Sequence, residues 1–218
     1  RNTDKIALST LPELSLQQLK IVFAEREKTV AAIKTFERTK ENEMFLTKEV
    51  FNSVKAINNQ TVKHLKKQLV MLDEKIRTLI REDENLYGQQ QLLKSIPGIG
   101  DITSVYILMA TKGFTAFTSG RKFACYSGVA PFEHSSGTSI KGKTRVSHLA
   151  DKKMKTLLHM ASLTAIKYDP ELKEYYNRKK SEGKHTMLVL NNIKCKMVYR
   201  NFAVIQRKSN FVNMHKFS

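Results

Sequence analysis

Leu92-Leu93-Lys94-Ser95-Ile96-Pro97-Gly98-Ile99-Gly100, followed by the apolar run from Ile102 to Ala110, reads as a helix, a tight reversal and a second helix. Pro97 lacks an N–H and clashes with the turn before it, so the first helix stops there. Gly98 and Gly100 let the chain reverse and leave the backbone bare. Their amides fall at the start of the next helix, where orphan N–H groups and the helix dipole favour an anion. A helix-hairpin-helix element of this kind grips a nucleic-acid backbone without reading bases. Lys94, Gly98 and Gly100 are then the phosphate contacts of this stretch. A plain Pro-Gly turn between two core helices satisfies the same pattern.

The charge balance points the same way. The 218 residues hold 38 Lys and Arg against 20 Asp and Glu, a net charge of +18. Such an excess calls for a polyanionic partner. It is unevenly placed: residues 1–90 carry 16 basic and 13 acidic residues, residues 91–218 carry 22 and 7. The nucleic-acid surface is therefore expected in the C-terminal part. Two distant cysteines, Cys125 and Cys195, fit a reducing compartment better than a secreted disulfide scaffold. No apolar run reaches the length of a membrane span and no signal peptide is visible, so a cytoplasmic, nucleoid-associated protein with no membrane partner is expected.

Upstream of the hairpin, Pro12 is the only proline, which leaves room for long helices. Ser15 with Gln18 forms a capping-box pattern. Leu16, Leu19, Phe23, Val30 and Ile33 follow in steps of three and four, with Arg26 interrupting the row. A cleaner row runs Val62, Leu65, Leu69, Leu72, Ile76, Leu79 and Leu86, a heptad seam with charged residues on the outer positions. Asn58-Asn59 is placed to mark a turn between two helices. Residues 13–90 are thus expected to form a helical coiled-coil arm that makes a dimer or tetramer; a helical hairpin on its own globular domain is the alternative.

Downstream, Ser119 is an N-cap for a short helix to Tyr126, and helices are expected over Ser147–Tyr168, from Pro170 to about Ser181, and on to about Arg207. The fold class is mainly α: the arm, then a compact helical domain over 91–210 containing the helix-hairpin-helix at 92–111, and a tail at 211–218. Between helices, residues 127–145 are rich in glycine, serine and cations. Ser135, Ser136, Ser139, Lys141, Lys143 and Arg145 offer hydroxyls beside positive charge, as phosphoryl transfer through a serine requires. Residue types alone favour a solvated loop that touches phosphates. Lys152 and Lys153, then Lys155, Arg178, Lys179, Lys180, Lys194, Lys196, Arg200, Arg207 and Lys208, put cations on successive helices, a backbone-binding surface. Tyr175, Tyr176, Tyr199 and Phe202 lie among them, for base stacking or for core packing. The histidines and cysteines show no zinc spacing, and residues 91–218 are poor in the carboxylates that a two-metal nuclease needs.

The order of these features resembles the insertion-sequence-110 transposase family. The matching pieces are LKSIPGIG (Leu93–Gly100), FTSGRKFACYSGVAP (Phe117–Pro131), Ser136-Gly137-Thr138-Ser139, LADKKMKTLLHMA (Leu149–Ala161) and Gly183-Lys184 with the closing helix. The resemblance implies DNA recombination guided by a structured bridge RNA, double-stranded DNA as substrate, a catalytic serine at Ser136, and a RuvC-like DEDD domain that binds Mg2+ upstream. Residues 1–12 look like the remnant of that domain: Asp4 matches one aspartate of its last acidic motif, as a catalytic metal ligand, while Ala7 stands where the second is usual. Ala150-Asp151 stands where Gly-Asn is usual. The chain begins at Arg1 without a Met, as a truncated copy or a piece of a longer protein would, and alone it is expected not to cleave DNA. A non-catalytic nucleic-acid-binding protein is the second reading, and a bare dimerisation module the third.

Overall fold

The computed structural model describes residues 14–38, 45–130, 135–136, 140–141 and 149–213. The chain divides into two compact units, Arg1–Glu84 and Asn85–Ser218. The described residues are mainly helical, as the sequence indicates.

In the first unit, α1 (Leu14–Glu37) packs along α2 (Lys48–Glu82). Three side-chain contacts set an antiparallel register. Ser15 Oγ donates to Asp83 at 2.7 Å, Arg26 Nε to Asp73 at 2.6 Å, and Lys66 Nζ to Glu37 at 2.8 Å. The expected apolar rows meet here: Leu16, Leu19, Phe23 and Ile33 are buried on α1, and Val62, Ile76 and Leu79 on α2. Leu65, Leu69 and Leu72 are half-buried. Two details differ from expectation. Asn58-Asn59 lies inside α2, because the seam continues through it to the buried Phe51. The Ser15 hydroxyl, in the first turn of α1, bonds Asp83 across the pair.

Helix α3 (Glu84–Lys94) opens the second unit, followed by α4 (Asp101–Thr111), α5 (Gly120–Tyr126), α6 (Lys152–Tyr168), α7 (Pro170–Ser181) and α8 (Thr186–Arg207). The starts of α5, α6 and α7 have a local cause. Ser119 accepts from Lys122 N–H at α5, and Asp151 from Met154 N–H at α6. Asp169 accepts from Glu171 and Leu172 N–H at α7, with Pro170 at the first helical position. Helix α6 therefore begins at Lys152, later than Ser147, because the Asp151 side chain caps it there. Lys112 and Gly113 end α4 in left-handed conformations, with φ of 50° and 62°. Leu93, Ile107, Leu108, Phe123, Met154, Leu158, Leu172, Ile193, Met197 and Val198 form the buried core of this unit. A two-residue antiparallel pair, β1 (Ser135–Ser136) and β2 (Ile140–Lys141), sets Ser136 opposite Ile140.

Candidate nucleic-acid interface

The six residues 95–100 join α3 to α4, and the two glycines of the hairpin have different surroundings. Gly98 has φ +93° and faces α6; a Cβ there would run into the Ala161 carbonyl oxygen and crowd Ala165. Packing against α6 is reason enough for a glycine at 98. Gly100 is exposed, and a Cβ on it would meet nothing within 4 Å. The backbone is thus open at Gly100. Lys94 Nζ lies 2.5 Å from Asp101 in the first turn of α4, so a carboxylate already balances this lysine. Ser95 Oγ donates to Leu92 O at 2.6 Å and accepts from Phe211 N–H at 2.8 Å, tying the chain end back to the hairpin.

The cations of α6, α7 and α8 differ in exposure and in partners. Lys152, Lys155, Lys173, Lys184, Arg207 and Lys208 are exposed, and Lys153 is half-buried. Arg200 serves the fold: its guanidinium contacts Asp169 at 2.5 Å and Glu171 at 2.6 Å, and stacks 4.5 Å from the Phe211 ring. Lys179 pairs with Glu182 at 2.7 Å, whose carboxyl this lysine holds below its ordinary pKa. Tyr175 is flanked by Lys196 at 4.6 Å and Arg178 at 5.9 Å, a cation–π arrangement. Phe202 is buried against Phe114, ring centres 5.0 Å apart, and belongs to the core. Tyr199 remains exposed.

Lys194 departs from the expected surface. It is 3 % exposed, and burial, reinforced by neighbouring Lys155, lowers its ammonium pKa. No carboxylate pairs with it among the described residues.

Ala130 and Leu149 flank the segment that carries Ser136. Both ends are fastened. Asn191 of α8 donates to Val129 O at 2.7 Å, and Asp151 N–H donates to Tyr126 O at 2.9 Å. The Asp151 carboxylate also accepts from Tyr106 OH at 3.0 Å and Tyr126 OH at 3.2 Å. Partial burial first, and then this carboxylate, raise the Tyr126 phenol above its ordinary pKa. Chain reading missed this cluster, because Tyr106 and Asp151 are 45 residues apart. The structure places the backbone of Ser136 and Lys141 in the β1–β2 pair. Asp4, Ser139, Lys143 and Arg145 lie outside the described residues.

Among the described residues no group of His, Cys, Asp and Glu gathers into a metal site. No described helix is long and apolar enough to cross a membrane. His159 on α6 has its Nδ1 buried with no hydrogen-bond partner.

Comparison with known proteins gives a family. Residues 90–177 match the model described as the transposase IS116/IS110/IS902 family. The chain is 28% identical over 159 residues to the pilin gene-inverting protein of Moraxella bovis, covering 72% of this chain and 49% of that protein. It is 33% identical over 134 residues to the 42 kDa protein of insertion element IS900 from Mycobacterium paratuberculosis, covering 59% of this chain and 33% of that protein. To the 43.6 kDa protein of insertion element IS110 from Streptomyces coelicolor it is 32% identical over 100 residues, 45% of this chain and 24% of that protein. The chain thus spans half or less of the length of these relatives. Through residues 90–177 the chain is similar to the IS116/IS110/IS902 transposase family.

Proposed function

We propose that the chain is the DNA-holding, C-terminal part of an insertion-element transposase, and that it recombines DNA only with a carboxylate-bearing domain supplied upstream. The observation that carries this reading is a coincidence of place. The family match covers residues 90–177, and residues 91–218 hold 22 of the 38 basic residues with only 7 acids. Exposed cations on α6, α7 and α8 suit the regular spacing of backbone phosphates. Double-stranded DNA and a structured guide RNA are the partners of this reading, in the cytoplasm beside the nucleoid.

Ser136 is the proposed nucleophile. Its hydroxyl oxygen attacks a DNA phosphorus, one phosphorus–oxygen bond to the neighbouring deoxyribose breaks, and the strand is held as a phosphoserine ester. The bond energy is kept for resealing to a new partner. Lys141, Lys143 and Arg145 stand close in sequence to offset the charge on the non-bridging oxygens. Mg2+ would be held by upstream carboxylates, with Asp4 as one of them, and would offset charge on the phosphate oxygens.

The arm, residues 13–90, is proposed to join two copies of the chain. Val50, Ile57 and Met71 support this: they are exposed apolar residues of α2, seven and fourteen residues apart, with His64 at the position between the last two. The domain limits 91–210, with the hairpin at 92–111 and the tail at 211–218, belong to the same reading.

The test is electrophoretic binding of duplex DNA and folded RNA across a salt series. Log affinity should fall with log salt by about 0.9 per neutralised phosphate on duplex. Affinity that ignores salt removes the reading. Recombination is tested by restoring a RuvC-like domain, guide RNA and Mg2+, where Ser136→Ala should abolish strand exchange and leave binding near normal. A second reading, a nucleic-acid-binding protein without catalysis, is favoured by the lack of a carboxylate cluster among the described residues. It predicts no strand exchange in that reconstituted system.

A further inference from the structure

The positive charge of the arm is gathered in one place. Helix α2 carries eight Lys and Arg against four Asp and Glu. Its two ends, residues 48–49 and 73–82, hold four of each sign, so the whole excess is Lys55, Lys63, Lys66 and Lys67. On this helix no acid stands between Glu49 and Asp73. Solubility is served by charges of both signs interspersed, as at the two ends of α2. A one-signed stretch in the middle points to a ligand of the opposite sign.

The same four lysines line a groove. Phe36 and Glu37 of α1 with Phe51, Lys55, Asn59 and Lys66 of α2 line a cavity of about 410 Å3. A second cavity, of about 530 Å3, is lined by Lys63, Lys67 and Val70 together with Asn59, Val62 and Lys66. The shared residues Asn59, Val62 and Lys66 make the two cavities one groove. From Lys55 to Val70 it runs about 22 Å, at 1.5 Å per residue of helix. Val50, Ile57 and Met71 line neither cavity, so the groove and the exposed apolar stripe lie on different faces of α2.

The composition of the lining narrows the occupant. All four lysines are exposed, Phe36 is 37 % exposed at one end, and Lys55 Nζ lies 5.4 Å from the centre of the Phe51 ring. Aromatic rings among cations suit an unpaired base with its phosphate, whereas a duplex keeps its bases stacked in pairs. Glu37, 2.8 Å from Lys66 Nζ, and Asn58 and Asn59 add hydrogen-bond acceptors to the lining. A carboxylate repels phosphate, but it accepts from a ribose 2′-hydroxyl, which deoxyribose lacks.

We propose that the groove along α2 between Lys55 and Val70 binds an unpaired stretch of RNA, with a base against Phe36 and phosphates along the lysines. This gives the arm a binding role besides self-association. It goes beyond the reading of residues 91–218 as a DNA-holding surface and does not depend on it.

The experiment uses the whole chain and fluorescein-labelled oligouridylate of twelve residues, with oligothymidylate of the same length and a duplex DNA as the other arms, read by anisotropy across a salt series. The oligouridylate should bind severalfold more tightly than the oligothymidylate. Lys63→Gln combined with Lys67→Gln should lower its affinity about tenfold. The salt slope should shrink by about 1.4, at roughly 0.7 for each lost phosphate contact on a single strand. Duplex affinity should stay within twofold. Phe36→Ala should lower oligouridylate affinity severalfold with the slope unchanged, because stacking carries no charge. Helical circular dichroism checks that each variant is folded.

Photocrosslinking of the unmodified chain to oligouridylate bearing 4-thiouridine gives a readout that needs no variant. Crosslinked peptides should map to residues 30–38 and 50–70; crosslinks confined to residues 91–218 overturn the site. Unchanged oligouridylate affinity in the folded lysine variant makes the row a solvated face. An equal loss for oligouridylate and duplex makes it a diffuse attraction, and equal affinity for the two single strands overturns the assignment to RNA. A lysine variant that sediments as monomer with oligouridylate affinity intact assigns the groove to a second copy of the chain. If duplex fails to bind while the arm still crosslinks, the DNA-holding reading falls and the groove stands.

Discussion

Arg26 occupies a core position of the α1 seam, and its Nε lies 2.6 Å from Asp73 Oδ1 on α2. The residue that breaks the apolar row in the sequence is thereby the one that pins the register of the helix pair. Its side chain is 14 % exposed and that of Asp73 26 %, so solvent screens the pair only in part. Asp73→Ala leaves a half-buried guanidinium with one contact fewer and should cost about 1–2 kcal/mol after allowance for screening. Urea unfolding followed by helical circular dichroism measures it. Arg26→Leu combined with Asp73→Leu should recover most of the loss; no recovery would mean that the pair does not set the register.

The two hairpin glycines should separate cleanly. Gly98→Ala combines a left-handed backbone with a collision at the Ala161 carbonyl, and should destabilise the second unit by about 1–3 kcal/mol. Gly100→Ala should be close to neutral, because open space surrounds it. A bulky residue at 100 should keep the fold and weaken duplex binding, read by gel shift alongside a melting curve. Unchanged affinity in folded Gly100→Leu would reduce this stretch to a structural turn.

Self-association through the arm should respond to its exposed apolar stripe. Met71→Asp alters a side chain that is 72 % exposed and takes no part in the buried seam. Sedimentation velocity should show the unmodified chain self-associating at micromolar concentration, and the variant shifting toward monomer with its helix content intact. A monomeric unmodified chain would remove the dimer. Leu72→Asp, at a half-buried position, should also weaken association, with some loss of the α1–α2 pair.

Tyr126 provides a pH signature. Its folded pKa is raised above the ordinary 10.0, so the protonated phenol is the form that the fold favours. The stability linked to it is fully present below pH 10 and is lost as pH rises through the higher folded value. Ultraviolet titration should show a tyrosine phase above pH 10, and Tyr126→Phe should diminish that late phase. Asp151→Asn should move the phase back toward pH 10. A late phase that persists undiminished in Tyr126→Phe assigns it to another tyrosine.

Much of this chain was legible one helix at a time. The mainly α class, the two apolar rows of the arm, the Ser119 cap of α5, Asp169-Pro170 at the start of α7 and the break at Gly183 all follow from interactions within a few residues, which sequence spacing encodes directly. The uneven charge and the motifs at Leu93–Gly100 and Phe117–Pro131 were enough to indicate the transposase family. Tertiary structure alone decided which charges are free. Lys194 reads as one more surface cation until α6 closes over α8, and Arg200 until Asp169, 31 residues away, takes its guanidinium. It also decided why Gly98 is glycine, through a carbonyl on α6, and joined Tyr106 to Asp151 across 45 residues. A residue type fixes what a side chain is able to do, but burial and counter-charge fix what it does, and both depend on neighbours that only the folded chain brings together.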